Sequence, residues 1–465
     1  AAYKMQKYLF LFIPVFCMAK NLTLESRINP PARELMDVEI VGNILIIPGN
    51  LDGYDFYDIS TPDSPQHITN FEVPMNNRAL PGFWVCVMDS FAYFTSRSKG
   101  PGSAILDISD PSNPVYLGAL LWEGNADPSF EGLDARDSVL AIAAHDDGVG
   151  LFHLNDPANP DFAIQIPTMN AWDIVIDSTT LIVGDGEYGI KFYDISNLTD
   201  PVLISEYLTV GAVKDLELNG SLLYIAEGSA GVELVDISDR ENPILLDRFD
   251  TSGLANKIAR MNGSYLAVSD WEGVKILEWN ETELELVGYK MTGKRTMAIA
   301  AKDSVIYSAE WQHLQTFTFG EIENADIDIS SWDIAFPVLE VGGSDTFELL
   351  IENNGQFPLG ISAPYLNHND FQALNFPDYI DAGGSAITQI IYTRSNQNAS
   401  GVIQISSNDP DEGEIELQLV GNYEGGIVGV EAPDFTLPVV ANGSGSFTLS
   451  DYAGKIVVIA FFAPG

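Results

Sequence analysis

Along most of this chain apolar and polar positions alternate in short runs, broken every few residues by Gly, Asn, Asp, Ser or Pro, the pattern of brief β-strands between tight turns. The runs repeat. Six segments share a glycine, four residues of alternating character and then an acidic or polar residue: GYDFYDIS from Gly53, GSAILDIS from Gly102, GVGLFHLN from Gly148, GIKFYDIS from Gly189, GVELVDIS from Gly231 and GVKILEWN from Gly273. The glycines lie 49, 46, 41, 42 and 42 residues apart, and a degenerate seventh copy, HLQTFTFG, starts 40 residues later at His313. Each copy is preceded by a turn pair between apolar runs: Gly42-Asn43, Asp89-Ser90, Asp137-Ser138, Asp177-Ser178, Asn219-Gly220, Asn262-Gly263 and Asp303-Ser304. Such pairs favour the positive backbone angles of two-residue hairpins. After the DIS signature a proline opens one more strand, at Pro114, Pro201 and Pro243. An outer strand tolerates the missing N–H there.

Four short antiparallel strands per unit of 40 to 45 residues, seven times over, is the arithmetic of a seven-bladed β-propeller. The seventh copy lacks an outer strand, while LTLESRI at residues 22 to 28 stands alone before the first. The expectation is that this strand completes the last blade and closes the ring, removing two exposed sheet edges. The DIS-x-P signature at Asp58, Asp107, Asp194 and Asp236 resembles the LVIVD-repeat family of extracytoplasmic propellers, over about 290 residues. That resemblance implies a surface or periplasmic scaffold and brings no catalytic residues with it. His153 and Glu278 replace the aspartate in two copies, which argues against a symmetric metal ring and for a turn-stabilising bond to backbone amides.

From Ala325 the repeat gives way to SDTFELLIENNG, SAITQIIYTR, SGVIQISSNDP and GEIELQLVGNY, alternating strands with Gly and Asn turns that predict a β-sandwich. The order Phe336, Gly342, ENNG at 352 to 355, SSNDP at 406 to 410 and LVGN at 419 to 422 resembles immunoglobulin-like domains of the spindle-associated and hydin type. The resemblance implies a spacer or binding module. Asp409, Asp411 and Glu412 are read as a polar hairpin tip in preference to a calcium site. A third pattern begins after Gly425-Gly426: EAPDFTL at 431 to 437, FTLSDYAGK at 447 to 455 and the apolar run IVVIAFF resemble the opening of thioredoxin-like redoxins. In that family the run leads to a helix N-terminus carrying a nucleophilic cysteine. The expected fold is thus mainly β: a propeller over residues 20–320, an Ig-like β-sandwich over 322–423 and a truncated thioredoxin-like α/β start over 427–465.

At the N-terminus, MQKYLFLFIPVFCMA (residues 5 to 19) has one cation, an apolar core and small residues near Ala19, the anatomy of a signal peptide; residues 1–19 are assigned to it. The product is therefore expected to be secreted, periplasmic or on the cell surface. Residues before Met5 and an apolar run reaching Gly465 lead to the expectation of a fragment of a longer reading frame. In that frame the parent is either a binding scaffold or a secreted thiol-disulfide oxidoreductase or thiol peroxidase, while residues 1–465 lack a catalytic cysteine in the third region.

Composition sharpens this. The chain has 465 residues, 66 Asp and Glu against 22 Lys and Arg, and a formal charge of −44, so a phosphate backbone is repelled and nucleic acid is not an expected partner. Cys17 and Cys86 are too few for a disulfide framework or a Cys-based zinc site. His67, His145, His153, His313 and His368 show no zinc-ligand spacing, and no metal or cofactor is expected. No segment reads as a membrane span. A propeller's binding site lies where the inner strands converge, about five residues before each hairpin turn. This selects Asp37, Trp84, Trp172, Lys214 and Lys257, with Asp173 and Asp215 beside them, as candidate ligand-binding residues for a protein, peptide or glycan. Inner-strand tryptophans that only pack between blades are the competing reading.

Overall fold

A computed structural model of the chain describes residues 20–75, 78–97, 102–122, 129–322, 324–395, 399–423, 436–438 and 446–449. The signal-peptide reading of residues 1–19, and most of the redoxin reading of residues 427–465, lie outside these. The chain divides into two compact units, one ending at Glu323 and the other starting at Asn324.

In the first unit the inner strands are Glu39–Val41, Val85–Met88, Leu133–Arg136, Asp173–Asp177, Asp215–Asn219, Lys257–Arg260 and the end of Leu284–Lys302. Each begins a four-stranded antiparallel blade and each packs beside the next. The seventh returns to the first, so the ring closes. The closure is staggered: Lys20–Ile28 pairs antiparallel with Leu314–Glu321 and forms the outer strand of blade 7. One departure from the sequence expectation is Leu284–Lys302, a single 19-residue strand that pairs first with Trp271–Trp279 and then with Val305–Glu310, serving blades 6 and 7 in turn. In blades 4 and 5 the two-residue turns are Ser178-Thr179 and Gly220-Ser221, one position later than expected, because Asp177 pairs with Thr180 and Asn219 with Leu222.

The core is not one mass but seven apolar clusters among the described residues, one per blade interface. Alternation along a strand explains how. Leu223 and Ile225 face blade 4 while their neighbours Tyr224 and Ala226 face blade 6, so the second strand, LLYIA, is apolar throughout.

The repeat signature has a physical cause. Gly53, Gly148, Gly189 and Gly231 open the third strand with φ of +80 to +89°. A Cβ on Gly231 would lie 2.1 Å from the Phe249 carbonyl oxygen of the outer strand, and the other three meet the equivalent carbonyl at 2.1 to 2.6 Å. Only glycine satisfies both the angle and the approach. The aspartates Asp58, Asp107, Asp194 and Asp236 accept the N–H of Ser60, Ser109, Ser196 and Ser238 at 2.8 to 2.9 Å, the turn-stabilising bond expected of them. The following isoleucines bury their side chains and donate their N–H to the hairpin turn of the same blade.

The second unit holds two four-stranded sheets. One orders Ile327–Ile329, Ser344–Asn353, Ser385–Thr393 and Phe371–Leu374; the other orders Asp333–Pro337, Glu414–Tyr423, Ser400–Ser406 and Tyr365–Leu366, its first pair parallel. Inward residues of both, among them Phe336, Ile351, Tyr392, Ile403 and Leu417, share one core. Asp409 is 4% exposed and accepts the N–H of Ile327 at 2.8 Å and those of Asp411 and Glu412 at 3.0 and 3.1 Å, so it caps the hairpin tip. Thr436–Pro438 and Ser446–Thr448 pair as a two-stranded ladder. Among the described residues no helix is long and apolar enough to cross a membrane, and no group of three or more His, Cys, Asp or Glu is placed to hold a metal ion.

Candidate functional site

The seven inner strands enclose a channel of about 630 Å³, lined among others by Glu39, Asp134, Asp173, Asp215, Glu217 and Lys257. Four inner-strand carboxylates act as latches between blades. Asp37, Asp134, Asp173 and Asp215 each accept a backbone N–H from the next inner strand, at Val85, Ile176, Leu216 and Ile258, over 2.7 to 3.0 Å. An acceptor at this place replaces a ladder bond that no strand pairing supplies between blades. Burial sets the protonation here: it drives Glu39 up to about 8 and Glu217 up to about 7. Asp173 is pushed well above the carboxylate range by burial and then by the charge of Asp215, with which it shares a hydrogen bond. Lys257 sits among these acids, its Nζ 2.7 Å from Asp37 and 3.8 Å from Asp215, and their charges outweigh its burial and keep it protonated.

Around the end of the channel where the inner strands start, a second cluster forms from several blades. Glu131, fully buried, is held by the Trp84 indole N–H at 3.0 Å, by Nε and Nη2 of Arg97, the latter at 2.7 Å, and by His145 Nε2 at 2.6 Å. These partners outweigh burial and hold the Glu131 carboxyl below its ordinary value, while the bond to Glu131 raises the His145 imidazole. Both tryptophan faces are met by cations: Lys257 Nζ lies 4.1 Å from the Trp84 ring centre and Lys214 Nζ 3.6 Å from that of Trp172. Arg97 also approaches Trp172, at 5.2 Å, and His145 meets it edge-on at 5.4 Å. Gly132 makes room, since a Cβ there would lie 2.2 Å from Asp173 Oδ1 and 2.9 Å from the Trp172 carbonyl oxygen.

The expected residues thus fall into two groups. Trp84, Trp172 and Lys214 stand half-buried at the channel mouth, while Asp173, Asp215 and Lys257 line the channel and Asp37 joins them through Lys257, all engaged with one another or with backbone amides. Register separates the two lysines: Lys214 donates its N–H to Ala226, and the equivalent bond in blade 6 comes from Asn256, not Lys257, because the inner strand of blade 5 runs through Asn219 before its turn while the turn of blade 6 starts at Asn262. Three residues of the cluster were not selected from sequence: Glu131, Arg97 and His145 lie in loops and just before an inner strand, off the turn-counted column. A further column also escaped it. Asp185, Glu227 and Asp270 follow the second strand of blades 4 to 6 and Glu310 ends that of blade 7, all buried, each three or four residues before the repeat position held by Gly189, Gly231, Gly273 and His313. Asp185 accepts the N–H of Met169 and Asn170 and pairs with Lys191; Glu227 accepts that of Gly211; Asp270 accepts that of Gly273 and pairs with Lys275. An acid three or four residues before the repeat position was the available signal.

Residues 85–120, 170–209 and 210–251 match the family described as LVIVD repeat. No curated protein matches the chain significantly. Among solved structures, the chain is similar to the RRP9 WD40 repeats, with 10% identity, a TM-score of 0.51 and coverage of 64% of this chain and 98% of that one. It is similar to catalytically inactive virginiamycin B lyase from Staphylococcus aureus with quinupristin, at 12% identity and TM-score 0.52, covering 64% of this chain and 99% of that one. A chain of the mitotic checkpoint complex gives 11% identity and TM-score 0.52, with 68% and 99% covered. At these identities the likeness is one of fold: the ring is a β-propeller that carries LVIVD repeats.

Proposed function

We propose that the protein is an extracytoplasmic binding scaffold, a propeller that takes a protein, peptide or glycan ligand at the channel mouth, joined to an immunoglobulin-like domain acting as spacer or second binding module. The observation that carries this reading is the convergence of Trp84, Arg97, Glu131, Trp172 and Lys214 from four blades beside the channel. Half-buried aromatic faces with a few placed charges are the usual composition of a recognition site. The channel aspartates, by contrast, are taken up by latches and by Lys257, which favours binding over catalysis. Extracytoplasmic placement rests on the apolar segment at residues 5 to 19. Probing peptide and glycan arrays with the wild type and with a Trp172→Ala/Lys214→Ala variant tests the site. Ligands that bind the first and not the second, with melting temperature retained, support it; identical profiles place binding elsewhere.

A second reading, that the full gene product is a thiol-disulfide oxidoreductase or peroxidase delivered by the scaffold, is favoured by EAPDFTL and SDYAGK in one stretch. Dithiol-dependent insulin reduction or peroxide consumption by that product, absent from the 465-residue chain, supports it. Equal inactivity of both leaves the scaffold alone.

A further inference from the structure

Resting on the channel-mouth reading, we propose that the mouth binds a single carboxylate between Lys214 and Arg97, on a ligand that is otherwise uncharged or basic. Both cations approach one aromatic ring, Trp172, Lys214 Nζ at 3.6 Å and Arg97 Cζ at 5.2 Å from its centre, so they are no further apart than those two distances together. Arg97 is committed on one edge: Nε and Nη2 meet Glu131, and Nη1 is not used by that carboxylate. Lys214 has no carboxylate within 4.0 Å among the described residues. Its influences are burial and the neighbouring Arg97 charge, which hold it below an ordinary lysine; Glu131 and Glu187 pull weakly the other way. Glu131 answers Arg97, and His145 adds positive character beside it, so among the described residues the ammonium of Lys214 is met by no ion pair.

The stoichiometry and the rest of the protein define the ligand. One unpaired ammonium and the spare edge of one guanidinium match a monoanion with two oxygens, the geometry a carboxylate offers. Polyanions are disfavoured: the chain carries −44 overall, and Glu187 stands near Lys214, so every further negative charge on a ligand meets repulsion. The half-buried Trp172 face beside the cations supplies apolar contact for the body of the ligand. A peptide C-terminus and a small free acid both present this chemistry.

The test is calorimetric titration of the whole chain with an N-acetylated tetrapeptide acid of small neutral residues, its C-terminal amide, sodium acetate, inorganic phosphate and polyglutamate. Expected is binding of the peptide acid, at least about tenfold weaker binding of the amide, and about a tenfold loss in Lys214→Ala that Lys214→Arg largely restores. Polyglutamate and phosphate bind more weakly than the peptide acid. Acetate binding as tightly as the peptide acid assigns the site to small acids; acetate binding far more weakly assigns it to peptide termini. Amide and acid binding equally, or no carboxylate probe binding up to about 10 mM, overturns the proposal. If the amide or a neutral array ligand binds and is lost in Trp172→Ala, the mouth remains a binding site and only the carboxylate assignment falls. If the acid binds but neither Lys214→Ala nor Trp172→Ala alters it, both fall.

Discussion

Three glycines separate the two demands made on the signature position. Gly220 has φ of +63° and nothing within 4 Å of the place a methyl would take, so Gly220→Ala carries only the left-handed backbone cost, about 1 to 2 kcal/mol. Gly273 has an ordinary φ, but its Cβ would lie 2.2 Å from the Lys290 carbonyl oxygen, so Gly273→Ala carries only the clash. Gly231 has both, φ +83° and a contact at 2.1 Å with the Phe249 carbonyl oxygen. That carbonyl belongs to the outer strand paired with Val232 and has backbone on both sides, so relief requires the strand to move, an overpacking cost of about 1 to 3 kcal/mol. Gly231→Ala is therefore expected to exceed Gly220→Ala by about 2 kcal/mol, or about 4 °C in melting temperature for a ring of this size. Gly273→Ala should fall between the two or near Gly220→Ala. Thermal melts followed by circular dichroism at matched pH and scan rate measure this. Melting of Gly231→Ala within about 1 °C of Gly220→Ala would refute close approach as the reason for the repeat glycine.

Two further outcomes follow from the ring. Deleting residues 20–33 removes the strand that makes eight register pairs with Leu314–Glu321 and takes fully buried Leu22 from the blade 6–7 core; the melting temperature should fall further than in Gly231→Ala, and an unchanged value refutes strand closure. Glu227 is held at about 8 against an ordinary 4.5 by burial, so the native state binds the extra proton between those values. Its contribution to stability is complete below 4.5 and is lost as pH rises through about 8. Glu227→Gln should accordingly gain on the wild type between pH 5 and pH 8.5, and a constant difference in melting temperature across that range counts against it.

What was readable in the sequence is what each repeat settles for itself. The glycine, the DIS aspartate and the hairpin turns act within one blade, and their spacing shows seven units and a spare strand to close them. What the ring assembles from different blades was not readable in the same way. Asp173 and Asp215 serve partners 43 residues on, and their latch role appears only when inner strands lie side by side. Both lysines were counted from Asn-Gly pairs, but Asn219 still belongs to its strand and Asn262 does not, which sets Lys257 one residue further along its strand than Lys214; in a strand that single step changes the face a side chain presents. Glu131 and Arg97 meet across 34 residues of chain through a loop and a strand start that no repeat column marks.

The scarcity of cations gives the channel mouth its weight. With 22 Lys and Arg against 66 acids, several cations drawn inward have an acidic partner that can be named. Lys191 and Lys275 neutralise buried Asp185 and Asp270, Arg248 meets Glu233, and Lys257 answers Asp37 and Asp215. A buried carboxylate costs several kcal/mol unless it is paired, so those placements follow from the acids. Lys214 does not fit that account. It is half-buried at the same end of the ring, its charge opposed by Arg97, and its one close partner is the face of Trp172. A cation–π contact there is worth about 0.5 to 2 kcal/mol, comparable to what partial desolvation removes, so the fold gains little from a lysine at that place. Folding demands explain Lys257 and leave Lys214 unexplained, and an anionic group supplied from outside the chain is the partner its position lacks.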